Sequence, residues 1–133
     1  MAKGKVGLGR RGETLAAEAL ARHGFHILTR NWHCREGEVD LIAQRLHGTP
    51  AEAEWYFVEV RTRRGTRYGS PEESITPRKR ARMEAVARRY LAEETTAWDA
   101  VWHVSLVAVE MDLAGHILRI TLYADLDGEG QTL

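Results

Sequence analysis

Two carboxylates followed by a cation make residues 37–61 the most chemically suggestive stretch of the chain. Asp40 lies in the first predicted strand of this stretch, and Glu59 lies in the second, two residues before Arg61. Side chains two positions apart on a strand share a face, so Glu59 and Arg61 are expected to point the same way. A hairpin that brings Asp40 beside this pair would form an acidic pocket flanked by a positive charge.

The apolar residues around these acids favour a functional role. Glu59 lies in the run FVEV at residues 57–60, which is typical of a central strand buried on both faces. Asp and Glu are rarely buried unless they are paired or bound to a metal. Carboxylate oxygens suit Mg²⁺, which proteins commonly hold with one or two carboxylates and a substrate phosphate. The pattern suggests phosphodiester hydrolysis, in which the metal activates a water and a nearby cation stabilises the phosphate charge.

A scaffold must position these residues, and the hydrophobic periodicity predicts the order helix, three strands, basic loop, helix and two strands. The first helix is expected to begin near Gly12, after a mobile segment at 1–12, and to stop at Gly24. The second is expected to have Thr76 as its N-cap and Pro77 as its first residue. The remaining predicted ranges are strands at 25–31, 38–45 and 55–62, a loop at 48–50, the second helix at 77–94, and strands at 101–111 and 116–123.

Spacing also indicates which way the candidate side chains point. Glu13 lies seven residues before Leu20, which tilts it toward the buried side of the first helix, although acids also favour helix starts because of the helix dipole. Lys79 lies four residues before Met83, at the inner edge of the second helix. Alternation along the second strand predicts two faces, one with Val39, Leu41 and Ala43 and the other with Asp40, Ile42 and Gln44.

The 133 residues and ordinary composition indicate one domain, expected to span residues 1–124 and to be followed by a loose acidic tail at 125–133. A single cysteine, Cys34, excludes an internal disulfide framework and fits a reducing compartment. No apolar run approaches the roughly 20 residues that span a bilayer, and no signal peptide is recognisable. We therefore expect a cytoplasmic protein that does not associate with membranes.

The formal net charge of zero conceals an uneven distribution of charge. Residues 61–90 carry 10 Lys and Arg against 3 Asp and Glu, whereas residues 91–133 carry 1 against 8. A basic block of this kind indicates an anionic partner such as nucleic acid, although a solvated basic helix face would look the same. The expected phosphate-binding and base-stacking residues are Arg63, Arg64, Arg67, Tyr68, Arg78 and Arg82.

One further cluster of possible ligands lies in the turn after the first strand, where His33, Cys34, Glu36 and Glu38 are close in sequence. A structural zinc site usually has four ligands with paired Cys or His spacing, and only one cysteine exists here. The pattern therefore favours ordinary turn residues over a zinc site.

The pattern of Asp40, eighteen residues, Glu59, one residue and Arg61 resembles the signature of the PD-(D/E)xK nucleases. More closely, the chain resembles the bacterial YraN family, which is related to Holliday junction resolvases. The matching strings, which cover roughly residues 9–91, are GRRGE at 9–13, RN at 30–31, GEVDLIA at 37–43, FVEVR at 57–61, GSPEE at 69–73, Lys79 and ARRYL at 87–91.

The resemblance implies an α/β fold of the restriction-endonuclease type, with an αβββαβ core and a central mixed sheet flanked by helices. It implies that Asp40, Glu59 and Glu13 gather round Mg²⁺ or Mn²⁺, and that Lys79 and Arg61 complete the catalytic set. The implied activity is that of a metal-dependent endonuclease selective for the structure of its substrate rather than for sequence. DNA, and branched DNA in particular, is the partner that this kinship suggests, and a homodimer would allow two strands to be cut.

One departure from the family pattern concerns the cation. Arg61 stands where the family has lysine, and arginine stays protonated, so it can bind phosphate but cannot act as a base. The alternative is therefore a non-catalytic nucleic-acid-binding protein with a degenerate nuclease site. A third hypothesis is a partner-binding domain whose basic block and acidic tail serve self-association.

Overall fold

The computed structural model, which describes residues 2–65, 75–97 and 99–133, has a six-stranded sheet with one helix packed on each face. Its strands follow chain order across the sheet, and of the pairs it describes β3–β4 is parallel and the others antiparallel. The elements are α1 (Ala2–Arg22), β1 (His26–Cys34), β2 (Gly37–His47), β3 (Thr49–Arg64), α2 (Pro77–Glu94), β4 (Val101–Met111), β5 (Ile117–Tyr123) and β6 (Gln131–Thr132). The predicted αβββαβ succession and the mixed sheet between helices are confirmed.

Strand β3 lies inside the sheet and contributes to the hydrophobic core on both faces. Tyr56 and Val58 pack in the cluster between the sheet and α1, whereas Trp55 and Phe57 pack in the cluster under α2. Because successive side chains on a strand point to opposite faces, a strand covered on both sides must be apolar at nearly every position. This accounts for the continuous apolar run that surrounds Glu59.

Helix α1 begins at Ala2, ten residues earlier than the sequence indicated. Glycines disfavour a helix by about 1 kcal/mol each relative to alanine, which is why a start near Gly12 was expected. Tertiary contacts override this preference, because Leu8 packs on the core and Gly12 lies against Thr62 of β3. The predicted stop is confirmed, since Gly24 follows the helix with a left-handed φ of 87°.

Helix α2 begins and ends where the sequence predicted. The Thr76 side chain accepts a hydrogen bond of 3.1 Å from the backbone N–H of Lys79, and Pro77 opens the helix. The buried side chains along its inner face are Met83, Val86, Ala87 and Leu91. Within the described residues, neither α1 nor α2 is both long and apolar enough to cross a membrane.

The first three strands are longer than predicted. Strand β1 continues to Cys34, and β2 continues to His47. The expected loop at 48–50 is wrong, because β3 already begins at Thr49, which pairs with His47 across Gly48. A φ of 105° at Gly48 allows this tight reversal, so the two strands form one long hairpin.

The predicted alternation along β2 holds for Leu41 and Ala43, which face α1, but not for Val39. Val39 packs in the α2 cluster together with Ile42, so the regular alternation breaks between residues 39 and 41. The break lies opposite Asn31, which has a left-handed φ of 53° and interrupts the pleat of β1. The irregularity is centred on the position of Asp40.

The C-terminal segment is held to the body of the protein, in contrast to the expected loose tail. Strand β6 pairs with β5, and the N–H of Leu133 donates to the carbonyl of Ile120 at 2.8 Å. Asp125 contacts His103 at 2.8 Å, and Asp127 contacts Arg80 on α2 at 2.8 Å. Composition suggested mobility, but these long-range contacts fix the segment.

Candidate functional site

Asp40 and Glu59 face each other where β2 and β3 separate. The ladder between the two strands ends with Leu41 paired to Val58, and the two acids are the next residues on either side. Beyond this point β2 continues to pair with β1, and β3 continues to pair with β4. The strands therefore part at the position that the two carboxylates occupy.

Asp40 is anchored in this gap by a backbone group. The N–H of Val60 donates a hydrogen bond of 2.8 Å to Asp40 Oδ2, so the side chain takes the place of a β2 carbonyl. A buried backbone N–H needs a partner, and here the partner is a carboxylate rather than the next rung of the sheet. Asp40 is thereby held between the strands, next to Glu59.

Glu59 is nearly buried, with 10% of its side chain exposed, and two cations compensate its charge. Its Oε2 lies 3.1 Å from Arg61 Nη2 on the same strand and 3.5 Å from Lys79 Nζ in the first turn of α2. A buried carboxylate is tolerated when such partners are present. The shared face of Glu59 and Arg61 and the inward direction of Lys79 are as the spacing predicted.

Electrostatics distinguish Asp40 from an ordinary aspartate. Burial and the negative charge of Glu59 raise the pKa of Asp40 from 3.8 to about 7, and the charges of Glu13 and Glu38 add to this rise. The hydrogen bond from Val60 lowers the pKa but does not offset the other effects. Asp40 is therefore partly protonated near neutral pH, as expected for two carboxyl groups that share one site.

Glu13 lies at the wall of the site, on α1. It lines a cavity of about 490 Å³, here called the Glu13 cavity, together with Leu8, Gly9, Val60, Arg61, Thr62 and Arg63. Glu13 also lines a second cavity of about 330 Å³ with Arg10 and Asn31. Its charge acts on Asp40, but within the described residues no three Asp, Glu, His or Cys side chains stand close enough to form a metal centre.

Four nucleic-acid-binding residues were predicted between positions 63 and 68, and the two that the structure describes lie at one edge of this site. Arg63 lines the Glu13 cavity, and Arg64 is exposed at the end of β3. Arg67 and Tyr68 lie outside the described residues. The cationic end of β3 thus extends from the candidate carboxylates toward the surface.

The two predicted arginines of α2 occupy different surroundings. Arg78 is exposed in the first turn, beside Lys79. The side chain of Arg82 packs over the turn between β1 and β2, where its Cδ lies 3.1 Å from the point that a Cβ on Gly37 would occupy. Arg82 therefore supports the hairpin of Asp40 as well as carrying a surface charge.

The acids of the β1–β2 turn have partners from the protein. Arg89 of α2 holds Glu36 through two contacts of 2.7 Å, and this pairing lowers the pKa of Glu36 to about 2. His33 lies 2.9 Å from Glu38. The contacts of Arg89 tie the turn to α2 and assign Glu36 a structural role, whereas the contact of His33 joins β1 to β2.

Two groups contribute to the site although the sequence did not indicate them. The amide of Val60 is a backbone group, and no side-chain pattern indicates its use. Asn31 lies in register opposite Asp40 with a left-handed backbone, a conformation that asparagine tolerates better than most residues. An Asn within a predicted strand was the available signal for this irregularity.

Comparison with known proteins shows that the model of one family spans the candidate site. Residues 12–113, which include Glu13, Asp40, Glu59, Arg61 and Lys79, match Uncharacterised protein family UPF0102. A UPF0102 protein of Roseiflexus castenholzii is 41% identical over 113 residues, covering 85% of this chain and 86% of the relative. One from Frankia casuarinae is 48% identical over 95 residues, covering 71% and 75%. The chain therefore belongs to the UPF0102 family, which is the YraN family that its sequence motifs resemble.

Proposed function

We propose that the protein is a metal-dependent endonuclease that cleaves phosphodiester bonds of structured nucleic acid, with branched DNA as the first substrate to test. The observation that carries this proposal is the position of Asp40 and Glu59, each one residue beyond the last paired residues of β2 and β3, with Arg61 and Lys79 bound to Glu59. Such a set of two acids and two cations matches the needs of phosphodiester hydrolysis.

The donor set fits a hard divalent cation. Asp40 and Glu59 would hold Mg²⁺ or Mn²⁺, with Glu13 as a third acid at the wall, and the two carboxylates suffice for a metal that keeps several waters. Burial, followed by the charge of Glu59, raises the pKa of Asp40, and a bound cation would favour its ionised form. When bound, the metal supplies a polarised phosphate and a water of lowered pKa.

Arg61 is suited to bind the phosphate. Its Nη2 contacts Glu59, whereas its Nε is buried and has no hydrogen-bond partner among the described residues. A buried donor without a partner costs free energy, and a phosphate oxygen would satisfy it. Arg61 and Lys79 together would stabilise the charge that develops as the phosphodiester bond breaks.

The test is a cleavage assay with branched, nicked and single-stranded DNA and with RNA, in Mg²⁺, in Mn²⁺ and in EDTA. We expect metal-dependent cleavage that Asp40→Asn and Glu59→Gln reduce by at least about a hundredfold. Arg89→Gln, which removes a cation bound to Glu36 outside the site, is the matched control and should retain activity. Equal activity in the two acid variants and the wild type would exclude this site.

The alternative, a nucleic-acid-binding protein with a degenerate site, has its own supporting observation. Arg61 and Lys79 already neutralise Glu59, which weakens its attraction for a metal. Arg61→Lys separates the two functions, because lysine can lose its proton and arginine cannot. Cleavage that appears only in the lysine variant, with similar binding in both proteins, would support the degenerate site.

A further inference from the structure

Two arginines from different elements meet at the turn between β4 and β5. A Cβ built on Gly115 of this turn would lie 3.4 Å from Arg11 Nη1 and 3.4 Å from Arg64 Nη2. Because both nitrogens lie 3.4 Å from one point, they are no more than twice that distance, 6.8 Å, apart. The guanidinium groups of α1 and β3 therefore converge on a space that any side chain at position 115 would fill.

No acid neutralises this pair within the described part of the chain. Asp112, in the same turn, accepts hydrogen bonds from the N–H of His116 at 2.8 Å and pairs with its ring at 3.1 Å. Glu110, at the end of β4, holds Arg119 at 2.8 Å. Like charges placed together repel, so two converging guanidinium groups without a carboxylate are a suitable binding site for an anion.

The arginine pair lies beside the candidate site. Gly12, the residue after Arg11, packs so closely on Thr62 that a Cβ there would lie 1.8 Å from Thr62 Oγ1. Arg11 thus lies in α1 next to the residue where the helix contacts β3, and Glu13 follows one residue after that contact. Arg64 directly follows Arg63, which lines the Glu13 cavity. One strand of nucleic acid could contact both places.

We propose that Arg11 and Arg64, converging over Gly115, bind one backbone phosphate of the nucleic acid at a position away from the scissile bond. The guanidinium group offers several N–H donors in a plane, and two such groups can share the oxygens of one phosphate. The inference rests on the proposed function for the identity of its ligand, but it requires binding and not cleavage.

The test measures binding in EDTA, so that cleavage does not contribute. Fluorescence anisotropy of a labelled nicked DNA duplex is followed from low to moderate salt for the wild type, Arg11→Gln, Arg64→Gln and the double variant. Each single variant should weaken binding about five- to tenfold and reduce the slope of log affinity against log salt by about 0.9, the value for one phosphate contact. We expect the phosphate to be held only when both arginines bind it, so either single variant loses the contact and the double variant should lose little more slope.

Two further variants sharpen the result. Gly115→Asn keeps a residue that tolerates the φ of 88° but places a side chain between the arginines, so it should weaken binding while the thermal midpoint stays close to that of the wild type. Arg119→Gln removes an arginine of β5 that is bound to Glu110, and it should leave the salt slope unchanged.

Several outcomes would overturn the inference: no measurable DNA binding at low salt, single variants that bind like the wild type, or slope losses that add in the double variant. Binding of inorganic phosphate that depends on Arg11 and Arg64, with DNA binding unaffected, would instead identify a small-anion site. The proposed function is judged separately. Cleavage that is unchanged in the Arg11 and Arg64 variants would contradict only the phosphate site. DNA binding that depends on the two arginines, without cleavage, would contradict only the proposed nuclease activity.

Discussion

The backbone N–H of Val60 donates a hydrogen bond of 2.8 Å to the carboxylate of Asp40, across the gap where β2 and β3 separate. This contact joins residues twenty positions apart and holds Asp40 in an acidic, largely buried environment. Burial and the charge of Glu59 disfavour the ionised form of Asp40, so ionised Asp40 destabilises the folded state at neutral and higher pH. Sites that bind cations commonly carry such a cost, which the cation relieves.

Replacing Asp40 by asparagine should stabilise the protein at high pH. In the folded protein the pKa of Asp40 is about 7, above its ordinary value of 3.8. The stability of the folded state is therefore fully present below about pH 4, where Asp40 is protonated, and is lost as the pH rises through 7. This pKa shift corresponds to a change of at most about 4 kcal/mol in the free energy of unfolding. Asparagine keeps an oxygen acceptor for Val60, and urea denaturation at pH 8 should show a gain of about 2–4 kcal/mol, which falls to at most about 1 kcal/mol at pH 4.5.

Asp40→Ala serves as the control for this prediction, because it removes the charge and also the acceptor of the Val60 N–H. Its gain at pH 8 should be smaller than that of Asp40→Asn by about 1–3 kcal/mol, the cost of an unsatisfied buried donor. A difference between wild type and Asp40→Asn that is the same at pH 4.5 and pH 8 would show that Asp40 titrates normally.

Divalent metal should raise the thermal midpoint in a manner that depends on pH. A ligand at a hundred times its dissociation constant stabilises the folded state by about 2.7 kcal/mol. Protons compete with the metal for Asp40, so the midpoint shift in Mg²⁺ or Mn²⁺ should be larger at pH 8 than at pH 6. Differential scanning fluorimetry measures it, EDTA should reverse it, and an equal shift in Asp40→Asn would locate the metal elsewhere.

Gly9 and Gly12, in the middle of α1, should respond oppositely to substitution by alanine. A Cβ at Gly12 would lie 1.8 Å from Thr62 Oγ1, whereas a Cβ at Gly9 meets no atom within 4 Å. Gly12→Ala should therefore cost about 1–3 kcal/mol through overpacking, while Gly9→Ala should gain about 0.5–1 kcal/mol of helix propensity. Urea denaturation of both variants measures the contrast.

A double-variant cycle identifies the cause of the Gly12 effect. Thr62→Ala removes the hydroxyl that the new methyl group would strike, so it should restore a large part of the stability lost in Gly12→Ala. Losses that simply add would mean that the helix does not pack on β3 at this residue.

His103 should stabilise the C-terminal segment at acidic pH. Burial lowers its pKa, but contacts with Asp125 at 2.8 Å and Glu54 at 2.6 Å outweigh this effect and raise the pKa above 6.5. A raised pKa gives stability that is complete below 6.5 and is lost as the pH rises through the folded value. His103→Gln should thus lower the free energy of unfolding by about 1 kcal/mol more at pH 6 than at pH 9.

The comparison variant for His103 is His26→Gln, which changes an exposed histidine of β1. Its effect on the free energy of unfolding should be small, because substitutions of exposed side chains usually change stability little. If His103→Gln behaves in the same way, the two carboxylate contacts do not hold a charged imidazole.

Short-range rules predicted much of this protein. The N-cap at Thr76 and Pro77 set the start of α2, because capping depends on residues within one helical turn. The alternation of apolar side chains identified β3 as an inner strand and made Glu59 conspicuous. Family membership followed from strings that are local in sequence. In each case the determining interactions lie among neighbouring residues.

Contacts between residues that are distant in sequence determined the features that short-range rules did not predict. Helix α1 reaches back to Ala2 although its glycines disfavour a helix, because the packing of Gly12 on β3 outweighs local propensity. The convergence of Arg11 and Arg64 on Gly115 joins three elements and has no periodic signature. The residue types of the candidate site were therefore evident in the sequence, whereas the hydrogen bond from Val60 to Asp40 was not. Nearly every residue has the same backbone N–H donor, and only the separation of β2 from β3 makes the N–H of Val60 available to a side chain.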